Sequence, residues 1–266
     1  MPSKKNPIAS VPELPEPVTR SSVPYVLSPR GTWLILCDVH VPYHDPTTIK
    51  LAVQEAKDRK IVGVLFNGDF LDQHELSRWD KSPDDPRYVD EVNTGRQLLE
   101  WLRYELPDAK FVYKDGNHEE RLLAYLCQRA PALFGLDVLT LPNILQFEKW
   151  NIEHVTDKRV IRAGKLNIVH GHEYRPGIQA PVNPARGLFL RAKANVLGGH
   201  FHQISDHQEP DILGRQQAAW SVGCACDLHP LYLPLNKWSN GFAIVDIQNG
   251  GDFKVYNHRV MDGRIF

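Results

Sequence analysis

The sequence predicts an α/β protein built around a largely parallel sheet. Three observations lead there. Short apolar runs at Thr32 to Cys37, Ile61 to Phe66 and Lys110 to Tyr113 alternate with segments of helical periodicity. Each run stops at a polar residue of metal-binding type, as strand ends do in open α/β sheets. The chain has 266 residues, 42% of them hydrophobic and 24% charged, enough to bury a core on both faces of such a sheet.

The elements follow in order. Seven of the 20 prolines fall between Pro2 and Pro29, so residues 1 to about 30 read as a Pro-rich extended arm, with the main domain at 31–266. Thr32 to Cys37 is a buried strand. Asp45 before Pro46 is a helix start, an N-cap acceptor followed by a residue that needs no donor, and the helix should reach about Lys60. Ile61 to Phe66 is a second strand. From Asp85-Pro86 to Glu105, Val89, Val92, Leu98, Leu99 and Leu102 recur at helical spacing. A third strand over Lys110 to Tyr113 precedes a helix from Glu119 to Arg129, ended by Pro131. The second half reads as richer in antiparallel strands. Arg159 to Ile161 and Leu166 to Val169 form a hairpin, Asn195 to Leu197 a short strand, and Gln217 to Val222, Gly241 to Ile247 and Phe253 to Met261 three more. Asn249-Gly250-Gly251 joins the last two.

Composition excludes several classes. With 31 basic and 32 acidic residues the net charge is −1, which argues against coating nucleic acid or membrane by bulk electrostatics. No apolar run approaches the ~18 residues of a membrane span. The N-terminus lacks a signal peptide's apolar core, and four scattered cysteines are too few for a disulfide scaffold, so a cytoplasmic protein is expected.

The strand ends carry the chemistry. In chain order they present Asp38 and His40, Asp69, Asn117, His170, then His200 and His202, with separations of 31, 48, 53 and 30 residues between clusters. Carboxylate, imidazole and one amide oxygen, with no thiolate, suit Mn²⁺, Fe²⁺, Zn²⁺, Ni²⁺ or Co²⁺. Seven donors exceed one tetrahedral site and match two ions sharing a carboxylate. Two such ions lower the pKa of a water between them and stabilise charge on phosphoryl oxygens, so the chemistry expected is phosphoester hydrolysis.

Asp38-Val39-His40, Gly68-Asp69, Gly116-Asn117-His118-Glu119, His170-Gly171-His172 and Gly199-His200-Phe201-His202 together resemble the calcineurin-like metallophosphoesterase family, with all five blocks in the family's order. The resemblance implies a four-layer αββα sandwich. It implies one metal held by Asp38, His40 and His202, another by Asn117, His170 and His200, and Asp69 as the bridging carboxylate. It implies that His118 contacts the phosphoryl group and protonates the leaving oxygen while metal-bound hydroxide attacks. Mn²⁺ is the leading expectation for both ions, and a nucleotide-like phosphodiester or phosphomonoester for the substrate. Gly68-Asp-Phe-Leu-Asp72-Gln73-His74 lacks the arginine and final glycine of the protein phosphatases, so the pattern looks more like small bacterial and phage phosphoesterases and the Mre11/SbcD nuclease branch. A nuclease and a metal-binding scaffold without turnover are the alternatives, and the arm makes a homodimer plausible.

Other residues have blander readings. His44, His154, His207, His229 and His258 read as ordinary surface or core histidines. His172 and His74 are intermediate, each a partner that orients a ligand. Asp72 reads as an acceptor supporting the Asp69 loop, and Cys224-Ala-Cys226 as buried strand packing. Arg121 faces either the phosphate or a surface ion pair. Arg175, Arg186, Arg191 and Lys193 form a substrate rim or, with slight preference, a solvated helix face. Trp79 and Tyr88 flank an irregular stretch read as a wall of the cleft.

Overall fold

The computed structural model describes residues 14–18, 22–27, 30–174 and 182–266. Most of residues 1–30, and Arg175, lie outside them. The strands in the first part of the chain are β1 (Tyr25–Val26), β2 (Gly31–Leu36), β3 (Gly63–Asn67), β4 (Lys110–Lys114) and β5 (Ile152–Val155). They continue as β6 (Ile161–Ala163), β7 (Leu166–Val169), β8 (Val196–Gly198), β9 (Ser205–Pro210) and β10 (Gln216–Ser221), and end with β11 (Gly241–Ile247), β12 (Phe253–Met261) and β13 (Arg264–Ile265). The helices are α1 (Pro46–Asp58), α2 (Tyr88–Glu105), α3 (Glu120–Arg129), two single turns α4 (Leu141–Ile144) and α5 (Phe147–Trp150), and α6 (Pro184–Ala192).

The described strands form two mixed sheets. One has seven strands in the order β13-β12-β11-β2-β3-β4-β5, and the other six in the order β1-β6-β7-β8-β10-β9. The run β2 to β5 is parallel, with β11 and β12 added antiparallel. Beside them, β7, β8 and β10 are parallel neighbours. This matches the parallel first half and the more antiparallel second half expected above.

Side-chain alternation along the strands sorts the core into layers. Leu34 and Leu36 of β2 face outward with Phe66 and Phe111, against Ile49, Ala52 and Val53 of α1 and Leu98, Leu99 and Leu102 of α2. Trp33 and Ile35 face the other way, against Ile161, Leu166, Ile168 and Leu197 of the second sheet. On that sheet's far side Ala185 and Leu188 of α6 pack on Val169, Val196 and Ala219. Helix, sheet, sheet, helix: the four-layer αββα sandwich is the architecture.

The local signals act as read. Asp45 caps α1, accepting from the Thr48 N–H at 2.7 Å, with Pro46 in the first turn. The region read as an arm contributes β1, which pairs with β6 in parallel, so its end is part of the second sheet. Strands β5 and β9, Ile-Glu-His-Val and Ser-Asp-His-Gln-Glu-Pro, are polar edge strands that carry little apolar signal in the sequence.

Candidate metal centre

The ligand-type residues lie just past the C-terminal ends of five parallel strands drawn from both sheets. Asp38 and His40 follow β2, Asp69 follows β3, and Asn117 follows β4; His170 follows β7, and His200 and His202 follow β8. The centre therefore straddles the seam between the sheets.

Donor atoms of Asp38, His40 and His202 lie within 4.8 Å of one another, and so do those of Asp69, His170 and His200. The resemblance implied Asp38, His40 and His202 for one ion and Asn117, His170 and His200 for the other, with Asp69 shared. Asp38 Oδ1 is 3.3 Å from His202 Nε2 and 3.9 Å from His170 Nε2. Asp69 Oδ2 sits between the groups, 3.3 Å from His170 Nε2 and 3.9 Å from His40 Nε2. Asn117 lies in the loop whose next backbone N–H, that of His118, donates to Asp69 Oδ1 at 2.9 Å.

Whether these residues fit metal ions can be asked of their hydrogen bonds. Asp38 Oδ1, His170 Nε2 and Asn117 Oδ1 are buried polar atoms without a hydrogen-bond partner among the described residues. Burying such atoms without a hydrogen bond is costly, and a bound cation would satisfy them. In addition, His40 Nε2 and His202 Nε2 face each other at 3.2 Å, an arrangement that a shared cation satisfies. The donor set fits a pair of divalent ions.

The imidazoles are oriented from behind. His40 Nδ1 meets Asp72 Oδ1 at 2.9 Å, and His170 Nδ1 meets the Asn67 carbonyl at 2.7 Å, which leaves each Nε2 facing the centre. Asp72 is thus a supporting acceptor, but for the His40 and His118 imidazoles rather than for the Asp69 loop expected from its position. His202 Nδ1 instead faces Cys226 Sγ at 4.0 Å, with Cys224 alongside. The two cysteines are buried, as read, but they back a ligand-type histidine; nothing in their spacing announced that. His172 adjoins His170, ring centroids 5.2 Å apart, whereas His74 turns away to the Asp80 carbonyl and Asp85.

Backbone conformation tightens the cluster. Asp38, His40, Asp69, His200 and His202 all have φ between 48° and 69°, a left-handed region disfavoured for side chains and found at functional sites. Gly116 approaches Asp69 so closely that a Cβ would collide with its carboxylate and backbone nitrogen.

Two carboxylates to which the sequence assigned no role hold the loops. Glu119 accepts from the backbone N–H of Asp69 (2.9 Å), Phe70 (2.8 Å) and Gly116 (2.8 Å) and from the Tyr113 hydroxyl (2.7 Å). Glu173 accepts from the N–H of His170 (3.0 Å) and Gly171 (2.6 Å) and pairs with the buried Lys114 ammonium at 2.9 Å. Each lies two or three residues beyond a ligand-type residue, Glu119 after Asn117 and Glu173 after His170.

Electrostatics follow from crowding charges in a buried place. Burial opposes ionisation of Asp38 and Asp69, yet the neighbouring histidines outweigh it and lower both pKa values, His202 acting most on Asp38 and His118 on Asp69. Burial likewise opposes charge on His170 and His202, but Asp69 and Asp38 respectively outweigh it and raise each to about 10. His200 goes the other way, to about 4, through burial and the nearby His170 charge. His118 lies 3.7 Å from Asp69 Oδ2; burial opposes its charge, and Asp69 and Asp72 outweigh that to raise its pKa. Arg121 contacts His118 rather than an acidic partner (Nη2 to Nε2, 2.9 Å). Arg186 and Arg191 lie on α6 and Lys193 caps it, the helix-face reading.

No family model matches the chain. It is 26% identical over 260 residues to the gene 54 protein of Mycobacterium phage L5, covering 88% of this chain and 97% of that protein. Among solved structures, vacuolar protein sorting 29 from Cryptosporidium parvum shares 17% identity over 89% of this chain and 95% of that one, with a TM-score of 0.45. A dimetal phosphatase from Danio rerio shares 13% over 84% and 94%, with a TM-score of 0.39. The fold is defined by its sheet order and layers, and the centre by its own geometry. Among the described residues no helix is long and apolar enough to cross a membrane.

Proposed function

We propose that the protein hydrolyses phosphoesters with two divalent metal ions, Mn²⁺ foremost. The observation that supports this best is the pair of donor groups meeting at Asp69, with ligand-type atoms buried and unpartnered. Asp38, His40 and His202 would hold one ion, Asn117, His170 and His200 the other, and Asp69 both. When bound, such a pair polarises phosphoryl oxygens and activates a water for in-line attack.

The chain's own groups supply the rest. Asp72 and the Asn67 carbonyl lock the tautomers of His40 and His170, so that Nε2 is the free donor in each. Glu119 fixes the spacing of the Asp69 and Asn117 loops by holding backbone N–H groups of both. His118 handles the proton: as the water oxygen bonds to phosphorus and the bond to the leaving oxygen breaks, that oxygen takes a proton from Nε2. A net charge of −1 favours small, nucleotide-like phosphoesters over an extended duplex.

The test is hydrolysis of aryl phosphate mono- and diesters by the Mn²⁺-loaded protein. Asp69→Asn should abolish turnover and lower metal content. His118→Ala should keep its metal and lose roughly 10²- to 10⁴-fold in kcat. Full activity in His118→Ala would remove its assigned role, and Asp69-independent activity would sink the whole reading.

A further inference from the structure

Arg121 is left without a task by the hydrolysis just described. It lies on α3, one turn beyond His118. Its Nη1 donates to the Asp72 carbonyl at 2.8 Å and its Nη2 meets His118 Nε2 at 2.9 Å. No carboxylate of the described residues lies within ion-pair distance of its guanidinium. Arg121 is half-buried, and a guanidinium partly withdrawn from water is well matched by an anion.

The contacts also set the state of His118. A guanidinium has only donors, so Nε2 is accepting; the Asp72 carbonyl only accepts, so Nδ1 carries the proton, at 2.6 Å. His118 therefore stands with its Nε2 lone pair capped by a cation. From that arrangement Nε2 has no proton to deliver; it can take one from bulk water, to pass on to the leaving oxygen, only when something draws Arg121 away.

A phosphoryl group has the chemistry to do so. A diester has two non-bridging oxygens and about one negative charge, which two divalent ions can satisfy. A monoester has a third oxygen and nearly a second charge, and the planar guanidinium fork suits it. Three carboxylates face the histidines of the centre, those of Asp38, Asp69 and Asp72. Two divalent ions exceed them by a single positive charge, and Arg121 supplies the second that a monoester dianion requires.

We propose that Arg121 binds a non-bridging oxygen of a terminal phosphate and so makes this centre selective for phosphomonoesters, uncovering His118 Nε2 as it does. This rests on the phosphoesterase reading above. It assigns the substrate class to a residue three positions beyond the histidine block.

The experiment uses the full-length, Mn²⁺-loaded protein as wild type, Arg121→Gln and Arg121→Lys. KM and kcat are measured for p-nitrophenyl phosphate and bis(p-nitrophenyl) phosphate, and binding of inorganic phosphate by calorimetry. The wild type should prefer the monoester. Arg121→Gln should weaken phosphate binding and raise the monoester KM by roughly ten- to a hundred-fold, as expected for losing a hydrogen bond to a charged group. Its loss on the monoester should exceed that on the diester by roughly ten-fold or more. Arg121→Lys should fall between, since a point charge replaces the fork. Equal losses on both esters, or unchanged phosphate affinity, would overturn the proposal while leaving the phosphoesterase reading intact. If the wild type turned over neither ester, that reading would fail, and phosphate binding that depends on Arg121 would still decide the residue's own role.

Discussion

On the seven-stranded side of the seam, Glu119 gathers three backbone N–H groups and a tyrosine hydroxyl, with no ion pair to a cation among the described residues. On the six-stranded side, Glu173 gathers two N–H groups and is neutralised by Lys114, whose side chain is 1% exposed. Burial pushes both pKa values up. For Glu119 that push prevails, reinforced by Asp69 and Asp115. For Glu173 Lys114 and then His172 reverse it, down to about 2. The stability signs are therefore opposite. The contribution of Glu119 is fully present below the ordinary glutamate range and is lost as pH rises through its raised pKa. That of Glu173 is present above the ordinary range and is lost as pH falls towards about 2. One clasp is made of neutral donors and tolerates a proton; the other spans the two sheets through an ion pair and does not.

The largest effect should come from breaking the ion pair. Glu173→Gln leaves the buried Lys114 ammonium without a counter-charge, only the Arg159 carbonyl still accepting from it, and we expect a loss of about 3–5 kcal/mol in chemical denaturation. A Glu173→Gln, Lys114→Met double variant should recover most of it; no recovery would mean that the N–H contacts, not the charge, dominate. Glu119→Gln should cost less, about 1–3 kcal/mol, because an amide still accepts at one oxygen. It should nonetheless weaken Mn²⁺ binding by roughly ten- to a hundred-fold, since it frees the Asp69 loop. Unchanged metal affinity would show that Asp69 is held without Glu119.

The smallest signal is in protons. His170 and His202, raised to about 10, carry protons at neutral pH in the metal-free protein. Metal loading should therefore release about two protons per chain at pH 7, read with an indicator dye in weak buffer. Their raised values also mean that the metal-free protein is stabilised below the ordinary histidine range and loses that stability as pH rises through about 10. Release of none would mean that these imidazoles are already neutral.

Much of this was legible in the chain. The buried strands announced themselves because both faces of β2, β3 and β4 are covered, giving continuous apolar runs. The donor residues announced themselves because each sits where such a run stops. What escaped reading was relational. Glu173 looks like any glutamate until Lys114 arrives from the other sheet. Cys226 looks like packing until His202 turns its Nδ1 towards the sulfur. Arg121 could be placed one turn beyond His118, but only three dimensions reveal that it meets His118 and the Asp72 carbonyl, with no carboxylate of the described residues in ion-pair range. Edge strands β5 and β9 hid because half-exposed backbone needs no apolar pattern.

The seam also sets an order of events in time. Asp38 and His202 come 3.3 Å apart from opposite ends of the donor-bearing stretch of chain. During synthesis the carboxylate-rich half emerges first, with Asp38 and Asp69 near one another and the histidines of β7 and β8 still inside the ribosome. Until those two strands dock, neither donor group is complete. Metal capture is then a late step in maturation, and a nascent chain stalled before β8 should be unable to retain its ions.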